Sequence, residues 1–488
     1  MTEHDNRKHD LVKNTAIIAF GGLSVQLAQF LLLPLYTAYL PKSDYGTLDL
    51  ITTYSTLLGP ILTLQLGMAA FRFLVDARGN DTAITRVITT TLQTTVLLLL
   101  ASGAIFLIVA QFINISYALL IAINIAIGSV MGVFMQFARG LGDNKVFTIA
   151  GIIAGGMTVV LNIMALVVFN SGVNGILIST AIGSLAALLY IVFKLKLYKY
   201  IKPHTNNKGL RTETLKYSLP LVPNGVSWWF INAIDRTIIA IFLGLSANGV
   251  YAIAYKFPIV FTTIFSFFAL SWTESASLHI DSKDRDKFFS ETTNATILFF
   301  GSLAALMVAG VSLVFKFFVN ISFGEAYNYI PILIAASFFS SIVAMYGAIY
   351  IAKKQTKQIA TTTIFAAIIN IVLCVALIKF IGLYGTAIAA TVAFLVMAIY
   401  RHHDSKQYVN TTYNPTTLVK VTLLFTFATI LYYIDSFAVH FANVLFVGIA
   451  TILLNKSFLL LLKDRFSFPK QKYIPLEQES VKSPDFPL

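Results

Sequence analysis

Arg236 and Lys256 are cations in places where a cation is costly. Both fall inside apolar runs long enough to cross a bilayer, where an ionised side chain costs about 3 kcal/mol on insertion scales. Two readings of how that cost is offset stay open. Asp235 could pair with Arg236 or Lys256 and lock neighbouring helices together. A wet chamber could instead let both cations hold an anion. One Asp cannot neutralise two cations, so the readings are compatible. Asp49 offers a second counter-ion, or a proton or sodium site, and Glu274 a third carboxylate. Polar residues gather around these charges on single helix faces at about 100° per residue. They are Gly22, Gln26 and Gln29; Asp49, Thr53, Thr56, Pro60, Thr63 and Gly67; Asn224, Trp228, Asn232, Asp235 and Arg236; and Lys256, Thr263 and Glu274. Lipid rejects such faces, so they must meet one another or line water. The chemistry on offer is recognition of charge and hydroxyl groups. The sequence has no phosphate-cradling glycine loop, nucleophile elbow or metal-ligand cluster. Its single cysteine, Cys374, excludes an internal disulfide and a thiol metal site.

The elements that carry these residues are membrane helices. The chain is 57% hydrophobic and 12% charged, with a mean hydropathy of +0.78, and a soluble domain carries roughly twice that charge. Runs of about 20 apolar residues, the length that spans hydrocarbon, recur along it. They predict an all-α polytopic membrane protein with fourteen spans: 14–40, 44–72, 84–110, 115–138, 146–169, 174–194, 214–243, 247–274, 289–316, 326–352, 358–379, 383–400, 416–435 and 440–462. The first run lacks a small-residue cleavage site and reads as a retained helix. The final stretch, 464–488, is polar and reads as a disordered tail.

Charge then orients the spans. With both termini in the cytoplasm, the inner segments collect 28 of the 35 Lys and Arg residues, as the positive-inside rule requires of an inner, cytoplasmic membrane. The net charge of +13 is thereby explained as topology, not nucleic-acid binding. A repeat is also visible. Leu40, Ser43 and Gly46 after span 1 match Leu243, Ser246 and Gly249 after span 7 at a constant offset of 203, and Lys13 and Lys216 keep it. Asn162-Ile163 before Gly172 and Gly175 parallels Asn370-Ile371 before Gly382 and Gly385. Six spans per unit give both units the same orientation, a parallel repeat about the membrane normal; coincidence in apolar sequence is the alternative. The chain thus divides into a cytoplasmic N-terminal segment (1–13), an N-lobe of spans 1–6 (14–200), a cytoplasmic linker (201–213), a C-lobe of spans 7–12 (214–405), spans 13 and 14 (416–462) and a cytoplasmic tail (463–488). Five of the six prolines within spans (Pro34, Pro60, Pro220, Pro223 and Pro258) lie in spans 1, 2, 7 and 8, where they are expected to bend the helices.

Residues 40–50 (Leu-Pro-Lys-Ser-Asp-Tyr-Gly-Thr-Leu-Asp-Leu), the run from Leu66 to Phe73, Asp235-Arg236, Gly244 and the run from Gly249 to Tyr255 together resemble the polysaccharide (oligosaccharide) flippases of the multidrug/oligosaccharidyl-lipid/polysaccharide exporter superfamily. The likeness covers residues 12–405. It implies a transporter, not an enzyme. Its substrate would be an undecaprenyl-pyrophosphate-linked oligosaccharide, moved from the inner to the outer leaflet for O-antigen, capsule or exopolysaccharide synthesis. The implied cavity is cationic, lies between the lobes and is lined by spans 1, 2, 7 and 8, with spans 13 and 14 similar to the tail groove of the peptidoglycan-precursor flippase. On that basis Arg236 and Lys256 are expected to hold the pyrophosphate. Gln26, Gln29, Asn224, Trp228 and Asn232 would contact sugars, Arg72 would guard the inner mouth, and Asp235, Asp49 and Glu274 would act as counter-ions or coupling sites. No cofactor or metal is expected. Coupling is open to a proton gradient, a sodium gradient or the membrane potential. Expected partners are the lipid-linked substrate and membrane lipids, with polysaccharide polymerase and glycosyltransferases alongside. Only two mid-membrane cations are present, which argues against the peptidoglycan precursor. A cation-coupled drug exporter of the same superfamily is the rival, weakened because span 1 has no acidic residue between Asn14 and Ser43.

Overall fold

The computed structural model describes residues 30–202 and 208–456, and among them regular structure is entirely helical. The helices are α1 (Leu33–Tyr39), α2 (Lys42–Leu62), α3 (Leu66–Ala77), α4 (Asp81–Phe112), α5 (Ala118–Gly140), α6 (Asn144–Ile163, prolonged by a π-helical turn), α7 (Gly172–Lys194), α8 (Lys208–Ser218), α9 (Leu221–Phe242), α10 (Leu245–His279), α11 (Arg285–Phe318), α12 (Ile330–Ala352), α13 (Thr356–Ile381), α14 (Leu383–Ser405), α15 (Pro415–Tyr432) and α16 (Phe437–Leu454). Eleven described helices are long and apolar enough to cross a membrane, and α2 with α3 makes a twelfth. The expected fourteen is not reached among the described residues. Span 1 falls mostly outside them, and α9, the seventh span, carries too many polar groups to be counted with the eleven.

The prolines act unequally. Pro60 lies two residues before the end of α2, where it removes a backbone donor and crowds the preceding turn. The chain then passes through Leu64 (φ 49°) and Gln65 (φ 56°), both left-handed, and α3 leaves at 52° to α2. The expected second span is therefore two helices. Pro220 stands at the break between α8 and α9. Pro258 sits within α10 without ending it, and Pro331 occupies the first turn of α12, where a missing N–H costs nothing.

The helices pack in two groups. In the first, α3 buries Ala69, Ala70 and Leu74 against α4, α5 and α8, sharing a core with Phe134, Phe137 and Ile191. The chain leading into α8 is tied to the same group, because Thr89 Oγ1 donates to the Tyr200 carbonyl (2.8 Å) and accepts from Lys202 N–H (3.1 Å). In the second, α10 packs on α12, α12 on α14, and α14 on α13. Helices α15 and α16 lie on α11, where Gly301 admits Val421 at a distance that no Cβ would tolerate. Tyr327 and Tyr432 stack with ring centroids 3.9 Å apart and each donates to the other's carbonyl at 2.7 Å, fastening the end of α15.

The groups meet along α2, which packs on α9 and α10. Leu48 and Ile51 share one apolar cluster with Ile238, Ile239, Val250 and Ile253. The contact is tight at the end carrying Gly46 and loosens toward the end carrying Arg72. Along the α10 face that holds Gly249, burial gives way to half-burial at Lys256, Thr263 and Phe267, and then to exposure at Ser271 and Glu274. The facing side of α2 behaves alike: Gly46 is buried, Asp49 and Thr53 half-buried, Pro60 exposed. The two groups therefore touch at the Gly46 end and part toward the Arg72 end, where α3 makes no substantial contact with α9 or α10 and a cleft separates them.

Candidate functional site at the meeting of the two groups

The seam begins with glycine. A Cβ on Gly46 would overlap the Leu245 carbonyl oxygen and stand 2.8 Å from Gly249 N; one on Gly249 would overlap the Lys42 carbonyl oxygen and stand 3.1 Å from Gly46 N. The contact is reciprocal, and each glycine keeps the 203-residue offset to its counterpart, as do Lys42 and Leu245. Only glycine lets two helix backbones approach this closely. Around the crossing, Asn248 Nδ2 donates to the Gly46 carbonyl (2.9 Å). Asn320 N–H donates to Thr37 Oγ1 (3.1 Å), and Lys42 lies 3.6 Å from Glu325. These bonds also join the first group to the second.

One turn deeper lies the central ion pair. Arg236 Nε donates to Asp49 Oδ2 at 2.8 Å, joining α9 to α2. The two side chains are 10% and 14% exposed. The guanidinium also covers the Tyr255 ring at 4.7 Å, and Asn248 Nδ2 reaches the same Asp49 oxygen at 3.5 Å. Next to it, the Tyr54 and Thr237 hydroxyls bond at 2.8 Å across the seam. Asp235 turns the other way. Its carboxylate accepts from Asn370 Nδ2 (2.7 Å) on α13 and from the Tyr251 hydroxyl (3.5 Å). Arg236 thus hydrogen-bonds Asp49 in the other group and remains within electrostatic range of Asp235. Lys256 lies seven residues beyond Gly249, on the same α10 face and half-buried, within electrostatic range of Asp49 and Arg236.

The other expected residues scatter. Arg72 is exposed on α3 and pairs with Asp76 one turn on. Glu274 is exposed on α10. Gln26 and Gln29 lie outside the described residues; Asn224, Trp228 and Asn232 belong to α9, but their side chains lie outside the description. Sequence reasoning missed Asn248, Tyr251, Tyr255, Tyr54 and Thr237, which no spacing rule connects to the charges. Asn370 was visible as half of a repeated Asn-Ile pair. Its counterpart Asn162 donates to the Tyr36 hydroxyl at 2.7 Å, so each asparagine ties its helix to one from the start of its own repeat unit. The partners differ in charge, and the cost of losing them should differ too. Asn370→Ala takes the shorter of two hydrogen bonds from a buried carboxylate and should destabilise by about 2–3 kcal/mol, against about 1 kcal/mol for Asn162→Ala. Detergent unfolding midpoints of the two variants measure this, and equal losses would contradict it.

The site thus lies where two helix groups of a multi-span helical protein meet. The profile of a family described as "Polysaccharide biosynthesis protein" matches residues 11–272, just over half of the chain, and the chain belongs to that family. A sequence search of curated proteins gives no significant match. Among solved structures, the chain is similar to the lipid II flippase MurJ in an inward closed conformation (TM-score 0.68, 16% identity, covering 92% of this chain and 100% of that one). It is also similar to an inward-facing multidrug resistance MATE family transporter of the MOP superfamily (TM-score 0.65, 14% identity, 83% and 98%). A MATE structure in the straight conformation superposes less closely (TM-score 0.52, 15% identity, 85% and 96%). At these identities the likeness establishes the shared fold.

Proposed function

We propose that the protein is a flippase that carries polyprenyl-pyrophosphate-linked oligosaccharide units from the inner to the outer leaflet for the synthesis of a cell-surface polysaccharide. The observation that carries this reading is Lys256, a half-buried cation at the apex of a cleft between two helix groups, in a family of polysaccharide biosynthesis proteins. The distribution of Lys and Arg supports placing the Arg72 end in the cytoplasm of a plasma-membrane protein. The cleft then opens inward. The sugar headgroup enters sideways while the lipid tail stays in the bilayer. Lys256 meets the pyrophosphate; Gln26, Gln29, Asn224, Trp228 and Asn232 contact the sugars. Arg236 is occupied by Asp49 while the Gly46 end is shut and meets the pyrophosphate as that end opens. A headgroup of charge about −2 leaving a cell with 100 mV, negative inside, gains up to ~4.6 kcal/mol. The potential can therefore drive the step, with proton or sodium exchange at Asp49 or Asp235 as the coupled alternative.

The test is flipping in liposomes, read as the fraction of labelled lipid-linked oligosaccharide that an impermeant reagent can modify. Lys256→Gln removes one charge-assisted contact and should slow flipping about 10- to 100-fold; Lys256→Gln with Arg236→Gln should abolish it. Normal flipping by a stably inserted double variant would remove the proposed site. Ethidium efflux without any flipping would assign the protein to drug export.

A further inference from the structure

We propose that Arg72 and Glu274 form the ion pair that shuts the Arg72 end when the Gly46 end opens, so that transport exchanges one pair between the groups for another. This rests on the transport reading above. Three observations converge on it. First, Arg72 and Glu274 stand within about one helical turn of the same depth. Arg72 is 26 residues from Gly46 along α2 and α3, and Glu274 is 25 residues from Gly249 along α10. At 1.5 Å per residue Glu274 lies roughly 38 Å from the glycine crossing, and Arg72, beyond the 52° bend between α2 and α3, roughly 32 Å along the same direction. Second, both are presented to the cleft. At about 100° per residue, Glu274 lies within roughly 20° of the α10 face that Gly249 turns toward α2. On α3, the buried positions Ala69, Ala70 and Leu74 are locked into the first group, and Met68, Arg72 and Asp76 occupy the opposite, exposed face. Arg72 therefore moves with its whole group and leads its surface when the cleft closes. Third, neither residue is committed across the cleft here. Among the described residues, the ion pair of Arg72 is with Asp76, an exposed residue on its own helix, and no ion pair includes Glu274.

The charges are also arranged to alternate. At the Gly46 end the acid, Asp49, comes from the first group and the base, Arg236, from the second. At the Arg72 end the base comes from the first group and the acid from the second. Each state then buries one complementary pair and releases the other to water, where Arg72 falls back on Asp76. This role differs from contact with the substrate's phosphates, which would use Arg72 alone and leave Glu274 a liability.

Charge reversal separates the two roles. In a Cys374→Ala background, Asn248→Cys places a thiol at a fully buried seam position, and its labelling by an impermeant maleimide from the Gly46 side reports how often that end opens. Arg72→Glu or Glu274→Arg alone sets like charges against each other at the closing end. Either should cut labelling about tenfold, and flipping with it. The double variant Arg72→Glu with Glu274→Arg restores opposite charges and should return both readouts to within about twofold of the parent. Singles that label like the parent, or a double variant as slow as the singles, would overturn the pair. Either result would leave the flippase reading intact, since that is judged by wild-type flipping and its dependence on Lys256.

Discussion

Gly46→Ala should leave the protein inserted but unable to keep its Gly46 end shut. The added methyl would overlap the Leu245 carbonyl oxygen and sit 2.8 Å from Gly249 N. Both neighbours are backbone atoms of α10, so no side chain can rotate out of the way. The helices must part. Overpacking of this kind costs about 1–3 kcal/mol, and here the cost falls only on the state in which the two groups touch. The conformational equilibrium should therefore shift while the rest of the fold is kept. With Asn248→Cys as the reporter, labelling from the Gly46 side should rise about tenfold or more, and under the proposed function flipping should fall because the cleft no longer resets. Gly249→Ala meets the Lys42 carbonyl oxygen in the mirrored contact and should give the same result. The double variant should add little, because either methyl alone already separates the helices. Gly324→Ala, whose Cβ would meet nothing within 4 Å at the same end, is the control. If the two seam variants label no faster than Gly324→Ala, the glycine crossing does not govern access.

Much of this arrangement was legible in the sequence, and its limits have a physical source. Hydropathy found the helices but misjudged their ends, because it registers only the stretch that hydrocarbon would accept. Helix α10 continues past Glu274 to His279. Helix α4 begins at Asp81 because Asn80 accepts from the N–H groups of Thr82 and Ala83. Both extensions are polar and lie beyond the apolar run. Pro60 correctly marked a bend, although the break also needs left-handed backbone at Leu64 and Gln65, which their side chains do not signal. Helical periodicity placed Asp49, Asp235, Arg236 and Lys256 on inward faces, since a charge has nowhere else to go in a bilayer. It could not say which acid meets which base. Periodicity relates residues on one helix, and Asp49 and Arg236 are 187 residues apart on helices of different groups. The offset of 203 held the missing information. It aligned Gly46 with Gly249, and two related helices that meet through equivalent residues must bring the neighbours of those residues together.

The second large effect is expected at the ion pair itself, and it should be unequal between the partners. Removing one member of a buried pair costs about 3–5 kcal/mol, chiefly because the other charge is left without compensation. Arg236 is the more enclosed, beneath Asp49 and over Tyr255, so Asp49→Asn leaves a buried guanidinium without the carboxylate it is bonded to. The shut state loses most of that energy, and the open state, in which water reaches Arg236, loses little. Asp49→Asn should therefore raise labelling of Asn248→Cys about a hundredfold and hold the Gly46 end open. Arg236→Gln leaves Asp49, the more exposed of the two side chains, closer to the cleft, where water can reach it, so the rise should be nearer tenfold. Exchanging the charges, Asp49→Arg with Arg236→Asp, restores attraction but not the stacking on Tyr255, and should recover part of the closure. Because the pair is shielded, 1 M salt should change labelling of the parent very little, whereas it should weaken exposed links such as Lys42–Glu325. If Asp49→Asn labels as slowly as the parent, closure is held by the glycine crossing and its apolar surroundings, and the buried charges serve another step.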